Sequence, residues 1–244
     1  MVTFAAFNNR LPDPTFGVGI AGNVDNSTGS KGPGFASVSV SSNRPVQVSR
    51  TISGRGVSTE TGAHFWEISI NYHPMTRADF DTVSTFLDGR NGKLNPFYVV
   101  LPQYSKPKDA TFATFATNNV ISVNGSHAAG SNVLNIDAGL AISGVVSPGD
   151  FFTITDSADV NHQKAYKITA VETNALYQTG TTQPATNQLR LHIMPELTRF
   201  TNDNAIVNFI NPQFRVYQKT DVLEYALDTN NTWQFQLQLE EILN

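Results

Sequence analysis

The chain has 244 residues, of which 15% are charged, and its formal net charge at pH 7 is −4. This acidic balance, without a basic stripe, excludes a protein that grips duplex DNA through its phosphates and predicts no readout of nucleic acid sequence. Zero cysteines exclude disulfide bonds, thiolate catalysis and zinc–sulfur sites. Because Asn, Thr, Ser and Gln carry much of the polar surface, the composition favours a mainly β protein over a helical bundle.

The N-terminus lacks the features of an export signal. Residues 1–7 have no basic flank and are short, and no apolar run approaches the roughly 20 residues that cross a bilayer. We therefore expect no membrane span. We also expect that the protein is made in a cytoplasm and leaves the cell only as part of an assembled particle.

Residues 1–34 are predicted to form an extended N-terminal arm, because large apolar side chains are scarce from residue 8 onward. The arm contains GVGIAG at residues 17–22, which matches the G-x-G-x-x-G fingerprint of dinucleotide sites. That fingerprint works where a strand precedes it and a helix follows it, whereas here prolines precede it and Asn, Asp and Ser follow. We interpret the motif as a flexible glycine loop and predict no cofactor.

Residues 35–110 and 213–244 together are predicted to form a β-sandwich or split-barrel scaffold. Its first two strands are expected at residues 35–41 and 46–52, before a turn at Gly54-Arg55-Gly56. Two further strands show strict alternation, and we expect them to pair with each other. Their inward residues are Trp66, Ile68, Ile70 and Tyr72 in the first, and Trp233, Phe235, Leu237 and Leu239 in the second.

One α-helix is predicted at about residues 76–88, between the strand ending near residue 72 and a strand at 96–102. Thr76 and Asp79 approximate a capping box at its start. Gly89 and Gly92 are expected to end it. Its apolar stripe consists of Phe80, Val83, Phe86 and Leu87.

Residues 111–212 are predicted to be an inserted small β-barrel-like module. Short strands recur there between Gly, Asn and Asp turns, and no helical stripe is evident. The expected strands are 120–123, 133–136, 151–154, 166–171, 188–193 and 205–209.

No arrangement of residues indicates catalysis or metal binding, and we predict that the protein is not an enzyme. The five histidines stand singly, without metal-ligand spacing, which predicts no metal site. Asp150 with Asp156 could form the acid pair of a glycosidase, but turn stabilisation explains them equally well, and the adjacent Glu240 and Glu241 would face opposite sides of a strand. Tyr104, Tyr166 and Tyr177 could stack on sugars if they are exposed.

Five residues are predicted to contact other copies or partners. The arginines of this group fall in the scaffold, and Arg90 has a second explanation as a cation just past a helix C-terminus. The five are Arg55, Trp66, Arg77, Arg90 and Tyr104.

Three stretches of the chain resemble a known family. They are FWEI at residues 65–68, MTRADF at 75–80 with FLDGRNG at 86–92, and PFYVVLP at 96–102. PGDFFTI at 148–154 and the closing strand 235–241 complete the pattern. This succession resembles tail-tip and baseplate proteins of tailed bacteriophages, in particular the distal tail protein.

The resemblance implies a virion structural protein that forms a ring, expected to be a hexamer, at the distal end of the tail. Its partners would be copies of itself, the tail tube and the hub, and it would be made in the host bacterial cytoplasm. Two alternatives stay open. One is a virion module that binds host glycan through residues 111–212, and the other is a ring at the head–tail connection.

Overall fold

The computed structural model describes residues 9–19, 22–25, 27–60, 62–220, 225–227 and 232–242. The predicted mainly β class is confirmed. The strands in chain order are β1 (Gly17–Val18), β2 (Ser30–Lys31), β3 (Phe35–Asn43), β4 (Val46–Arg50), β5 (Gly56–Glu60), β6 (Phe65–Tyr72), β7 (Phe97–Val100), β8 (Ile121–Val123), β9 (Val133–Ala138), β10 (Phe151–Thr155), β11 (Ala165–Glu172), β12 (Gln188–Met194), β13 (Ile206–Asn208), β14 (Gln213–Gln218), β15 (Tyr225–Leu227) and β16 (Trp233–Glu241). The helices are α1 (Arg77–Asp88) and α2 (Ala110–Asn118).

The chain divides into two compact units. The scaffold unit consists of Met1–Val99 with Arg215–Ile242, and the barrel unit is essentially Val100–Phe214. In sequence, the barrel unit therefore lies between the two segments of the scaffold unit.

The scaffold unit is built on a sheet with the strand order β3-β6-β16-β14-β7, and β15 pairs with β16. The predicted pairing of β6 with β16 is confirmed: the strands are antiparallel, with Leu237 opposite Ile70 and Leu239 opposite Ile68. These four side chains are at most 3% exposed. Because alternate residues of a strand share a face, the facing apolar rows of the two strands form one core.

Helix α1 packs its apolar stripe into this core, although the stripe is narrower than predicted. Phe80, Val83 and Leu87 are buried, and Phe86 is half-buried. Thr76 is the N-cap, but its hydroxyl donates to the Asp79 carboxylate at 2.8 Å rather than accepting from the helix backbone, so the expected capping box is not formed.

The end of α1 also differs from the prediction in detail. Gly89 follows the helix in the right-handed region, with φ −65°. The left-handed residues come later, at Asn91 (φ 55°) and Gly92 (φ 63°), and these turn the chain towards β7.

Part of the predicted N-terminal arm lies along β7. The Leu11 amide donates to the Tyr98 carbonyl at 2.8 Å, and the Tyr98 amide donates to the Asn9 carbonyl at 2.7 Å. Leu11 and Asp13 are at most 4% exposed. These described residues of the arm therefore extend the sheet and join its core.

The glycine motif at residues 17–22 falls partly outside the described residues, at Ile20 and Ala21. Its described part contains β1, which pairs with β2. A Cβ on Gly17 would lie 2.5 Å from the Asp25 carbonyl oxygen, so this glycine permits a close approach of two backbone segments. The motif thus has a packing role within the arm.

The barrel unit contains a closed barrel with the order β10-β11-β12-β9-β8-β13. All pairings in it are antiparallel, and its interior is filled by side chains such as Phe152, Tyr166 and Leu191, each 0% exposed. The six predicted strands are all present, with ends shifted by a few residues. A closed barrel leaves no sheet edge open.

The expectation of a single helix was wrong, because α2 precedes the first strand of the barrel. Asp109 caps α2 by accepting from the Thr111 amide at 2.7 Å and the Phe112 amide at 3.3 Å. Phe112 and Phe115 lie three residues apart and are buried in the barrel core. In the described part of the chain, no helix is long and apolar enough to span a membrane.

The loop after β11 folds over the outside of the barrel and is held by one buried carboxylate. Glu172 accepts from Arg190 Nη1 at 2.6 Å, from the Gln178 amide at 3.2 Å, and pairs with His192 Nε2 at 2.7 Å. Arg190 also donates to the Thr182 carbonyl at 2.7 Å. The pKa of Glu172 is lowered, chiefly by the hydrogen bond with His192. Glu172 and Arg190 thus pin residues 173–187 to the barrel.

The loops between β10 and β11 and between β12 and β13 meet at a buried histidine. His162 is 3% exposed, and its Nε2 lies 2.8 Å from the Tyr166 hydroxyl. That hydroxyl accepts from the Thr198 amide at 3.2 Å. Arg199 and Asp159 join the same two loops by an ion pair at 2.5 Å.

This histidine predicts that the barrel unit is sensitive to acid. Burial lowers the pKa of His162 from 6.5 to about 4. The unfolded chain therefore takes up the proton first as the pH falls, and we expect a loss of about 3 kcal/mol of stability between pH 6.5 and pH 4. Burial also lowers the pKa of His127, which adds to the slope.

Urea unfolding followed by circular dichroism at several pH values checks this expectation. The His162→Gln variant lacks the titrating ring, so the pH dependence in this window should become smaller by about 3 kcal/mol, and the part due to His127 should remain. An unchanged slope in the variant would show that His162 is not the responsible group.

Candidate assembly surface

The feature of the scaffold unit that stands out is a hairpin of β4 and β5. The strands are antiparallel, with Val46 opposite Glu60 and Arg50 opposite Gly56. All ten of their residues are exposed. Val48 is 68% exposed, so the hairpin presents apolar side chains to its surroundings.

The turn of the hairpin is well defined by hydrogen bonds. The Thr51 amide donates to the Arg55 carbonyl at 3.0 Å, and the Gly54 amide donates to the Thr51 carbonyl at 2.8 Å. Gly54 has φ 80°, which favours glycine. The turn carries Ile52 fully exposed, and residues 50–56 contain two arginines and no acid. The tip is therefore basic and apolar.

The sequence predicts β4 and the turn, but it does not predict β5. Val57, Ser58 and Thr59 show no buried face, because both faces of the hairpin are exposed. The available signal was symmetry: a glycine-rich turn flanked by Val48 on one side and Val57 on the other is typical of a hairpin.

The strand β3 offers a second surface for partners. In the described part of the chain it is an edge strand, with β6 on one side. Its nine residues, FASVSVSSN, carry no charge and no proline. Natural edge strands usually carry charged residues or prolines, which prevent pairing with another chain, and β3 has neither.

A groove runs between α1 and the start of β16. Its floor is aromatic: the Phe80 and Trp233 rings stack at 4.6 Å with 6° between their planes, and Phe235 lies edge-on to Phe80 at 6.2 Å. Asp81 and Asp88 line its rim. The cavity volume is about 410 Å³.

The predicted contact residues fall in different surroundings. Arg55 is exposed at the tip of the hairpin. Arg77 lines the groove, with an 84% exposed side chain and an ion pair to Asp81 at 3.4 Å. Arg90 is half-buried, its guanidinium lies 4.9 Å from the centre of the Phe86 ring, and burial lowers its pKa. Arg55 and Arg77 are thus accessible, and Arg90 packs within its own unit.

The two aromatic residues of the prediction serve packing. Trp66 is 2% exposed and stacks edge-on with His64 at 4.6 Å, because it belongs to the buried face of β6. Its side chain is therefore covered, and the prediction that it contacts a partner is not supported. Tyr104 is half-buried and packs on Phe151 at 4.7 Å.

The acids considered for catalysis accept hydrogen bonds from backbone amides. Asp150 accepts from the Ser147 amide at 2.9 Å. Asp156 accepts from the Asn202 amide and from the Ala158 amide, both at 2.9 Å. Among the described residues, no three His, Asp or Glu side chains are grouped to hold a metal ion.

Two of the tyrosines proposed for sugar stacking differ in their exposure. Tyr166 is 0% exposed inside the barrel, whereas Tyr177 is 43% exposed on the loop pinned by Glu172. Of the two, Tyr177 alone has an accessible ring.

Comparison with known proteins identifies the family that the scaffold resembles. Residues 25–104 match the family model described as distal tail protein pb9, A domain, N-terminal. The matched segment contains β3 to β7, the hairpin, α1 and all five predicted contact residues. No curated protein is significantly similar to the chain. The resemblance to phage distal tail proteins is thereby confirmed over residues 25–104, and it indicates a structural role in a bacteriophage tail.

Proposed function

We propose that this protein is a ring-forming subunit at the distal end of a phage tail, where it joins the tail tube to the hub. The observation that carries the proposal is the hairpin of β4 and β5, because all ten of its strand residues are exposed. The distal tail family match over residues 25–104 supports the location.

We expect a partner to cover an exposed hairpin of this kind. A two-stranded hairpin is at best marginally stable in water, and this one displays three valines on its strands. Covering it with a neighbouring subunit buries these side chains. The same reasoning applies to the uncharged edge of β3.

A ring follows if the hairpin of each copy meets a different surface on the next copy. Such head-to-tail contacts close into a ring when the rotation between copies allows it. From the resemblance to distal tail proteins we expect six copies in the ring, with the tail tube and the hub as partners.

Removal of the hairpin tests the proposal. Val46 and Glu60 are directly opposite each other, so a short Gly-Ser link between residues 45 and 61 can replace the hairpin with little disturbance of β3 and β6. We expect the purified shortened chain to remain folded and to lose most of the high-mass oligomer in light scattering.

The matched control is Leu176→Ser, which removes an exposed apolar residue (76% exposed) from the barrel unit. This variant should assemble as the natural chain does. Assembly of the shortened chain to the full mass would refute the role of the hairpin.

A ring at the head–tail connection would use the same contacts, so location needs a separate experiment. Antibody fragments against the barrel unit, viewed on intact particles by electron microscopy, should label the end of the tail away from the head. Label at the head–tail connection would replace the distal location with the connector.

A further inference from the structure

We propose that the hairpin tip of one copy inserts into the groove between α1 and β16 of the next copy. The inference rests on the proposed ring and adds to it the two surfaces that meet. Both surfaces belong to the scaffold unit.

Charge is the first argument for this pairing. The tip, residues 50–56, carries Arg50 and Arg55 and no acid. The groove is lined by Asp81 and Asp88 against the single basic residue Arg77. Opposite charges on two surfaces steer association and fix the register of a complex.

Apolar complementarity is the second argument. Ile52 is fully exposed at the tip, and the half-buried Trp233 lines the groove beside Phe80 and Phe235, which are 5% and 6% exposed. Insertion of Ile52 beside Trp233 removes from water the apolar area of Ile52 and of the accessible part of the Trp233 ring. Arginines beside an aromatic floor gain cation–π contacts as well.

Size agrees with these arguments. A cavity of about 410 Å³ lies within the roughly 300–1,000 Å³ that holds a drug-sized ligand, so it admits the side chains of a turn. Five-residue strands extend the hairpin by roughly 17 Å, which gives it the reach to meet a neighbour.

The occupant is a second copy rather than the hairpin of the same chain. All strand residues of the hairpin are exposed in the single chain, as is Ile52. The groove is therefore not filled by its own hairpin. Contact between two different surfaces is the head-to-tail arrangement that a ring requires.

The exposed ion pair of Arg77 and Asp81 does not oppose insertion. The side chains are 84% and 52% exposed, and an exposed pair of this kind contributes little to stability. An incoming arginine can replace Arg77 as the partner of Asp81.

Cysteine crosslinking between separate chains tests the contact, and the natural chain has no cysteine to interfere. One full-length variant carries Ile52→Cys and a second carries Ser84→Cys, which lines the groove. After the two are mixed and mildly oxidised, we expect a covalent pair containing one copy of each. The control mixes Ile52→Cys with Leu176→Cys, an exposed position of the barrel unit, and it should give little such product.

Charge-reversal variants provide a second test of the contact. Arg50→Glu with Arg55→Glu, or Asp81→Arg with Asp88→Arg, should weaken assembly by at least about tenfold, since juxtaposed like charges oppose association. Mixing the two reversed chains should restore it at their complementary contacts. Arg44→Glu and Glu196→Arg are the matched controls outside both surfaces and should leave assembly unchanged.

The outcomes separate this inference from the proposed ring. If the natural chain assembles but the Ile52–Ser84 pair does not crosslink and reversal has no effect, the groove contact is wrong and the ring stands. If the natural chain stays monomeric throughout, the ring and the contact are both refuted.

Discussion

The Leu237→Ala variant is expected to lose about 3 kcal/mol in the free energy of unfolding of the scaffold unit. Leu237 is 3% exposed and lies opposite Ile70, which is 0% exposed, in the pair of strands that joins the two segments of this unit. Truncation leaves a cavity that the neighbouring strands fill incompletely. Urea unfolding followed by tryptophan fluorescence measures the loss, since both tryptophans of the chain, Trp66 and Trp233, belong to this unit.

The neighbouring residue supplies the control. Gln238 is exposed on the opposite face of β16, so Gln238→Ala should change stability by about 0.5 kcal/mol or less. Measurement at low protein concentration keeps assembly from adding to the stability of the native state. Equal losses in the two variants would contradict the assignment of the buried face.

The Glu172→Ala variant should release the loop of residues 173–187 and destabilise the barrel unit by about 3 kcal/mol. Glu172 is 7% exposed and is the shared acceptor of Arg190, His192 and the Gln178 amide. Its removal leaves the guanidinium of Arg190 partly buried without its carboxylate.

Hydrogen exchange followed by mass spectrometry resolves this effect along the chain. We expect faster exchange of amides in residues 173–187 and little change in β6 and β16. The control Glu196→Ala removes an exposed acid from the same unit and should exchange as the natural chain does. Unchanged exchange in the loop of the Glu172→Ala variant would show that other contacts hold it.

The pairing of β6 with β16 could be predicted from the sequence because both strands show the two-residue alternation of apolar and polar side chains. In residues 66–72 and 233–239, apolar and polar side chains alternate. When two such half-buried strands pair, their apolar side chains lie on the same face of the sheet and share one core. The distance between them in sequence has no bearing on the pattern. The helix α1 could be predicted for the same reason, from the spacing of Phe80, Val83 and Leu87.

Elements without a clear apolar period escaped prediction. Helix α2, ATFATFATN, is short and repeats Ala-Thr-Phe, so it shows no wide apolar stripe, although Phe112 and Phe115 have helical spacing. Strand β5 has no buried face to produce a period. Burial of Phe112 and Phe115 in the barrel decides the structure of α2 more than local preference does, whereas β5 is held by its pairing with β4.

The surfaces proposed for assembly could be predicted only in part. Arg55 and Arg77 lie on these surfaces, and they were predicted as contact residues because they fall in the scaffold part of the sequence. The groove was not, since Phe80 and Trp233 are far apart in sequence and meet through the packing of α1 on β16. Trp66 was chosen as a contact residue, but its alternation places it in the core.

The central claim is that this chain assembles with copies of itself through the scaffold unit. Analytical ultracentrifugation of the purified natural chain over a wide concentration range tests this claim most directly. We predict that the natural chain forms one closed oligomer of high mass, expected to contain six copies. The variant without the hairpin should sediment mainly as a smaller species. A single chain that remains monomeric at every concentration would contradict the account.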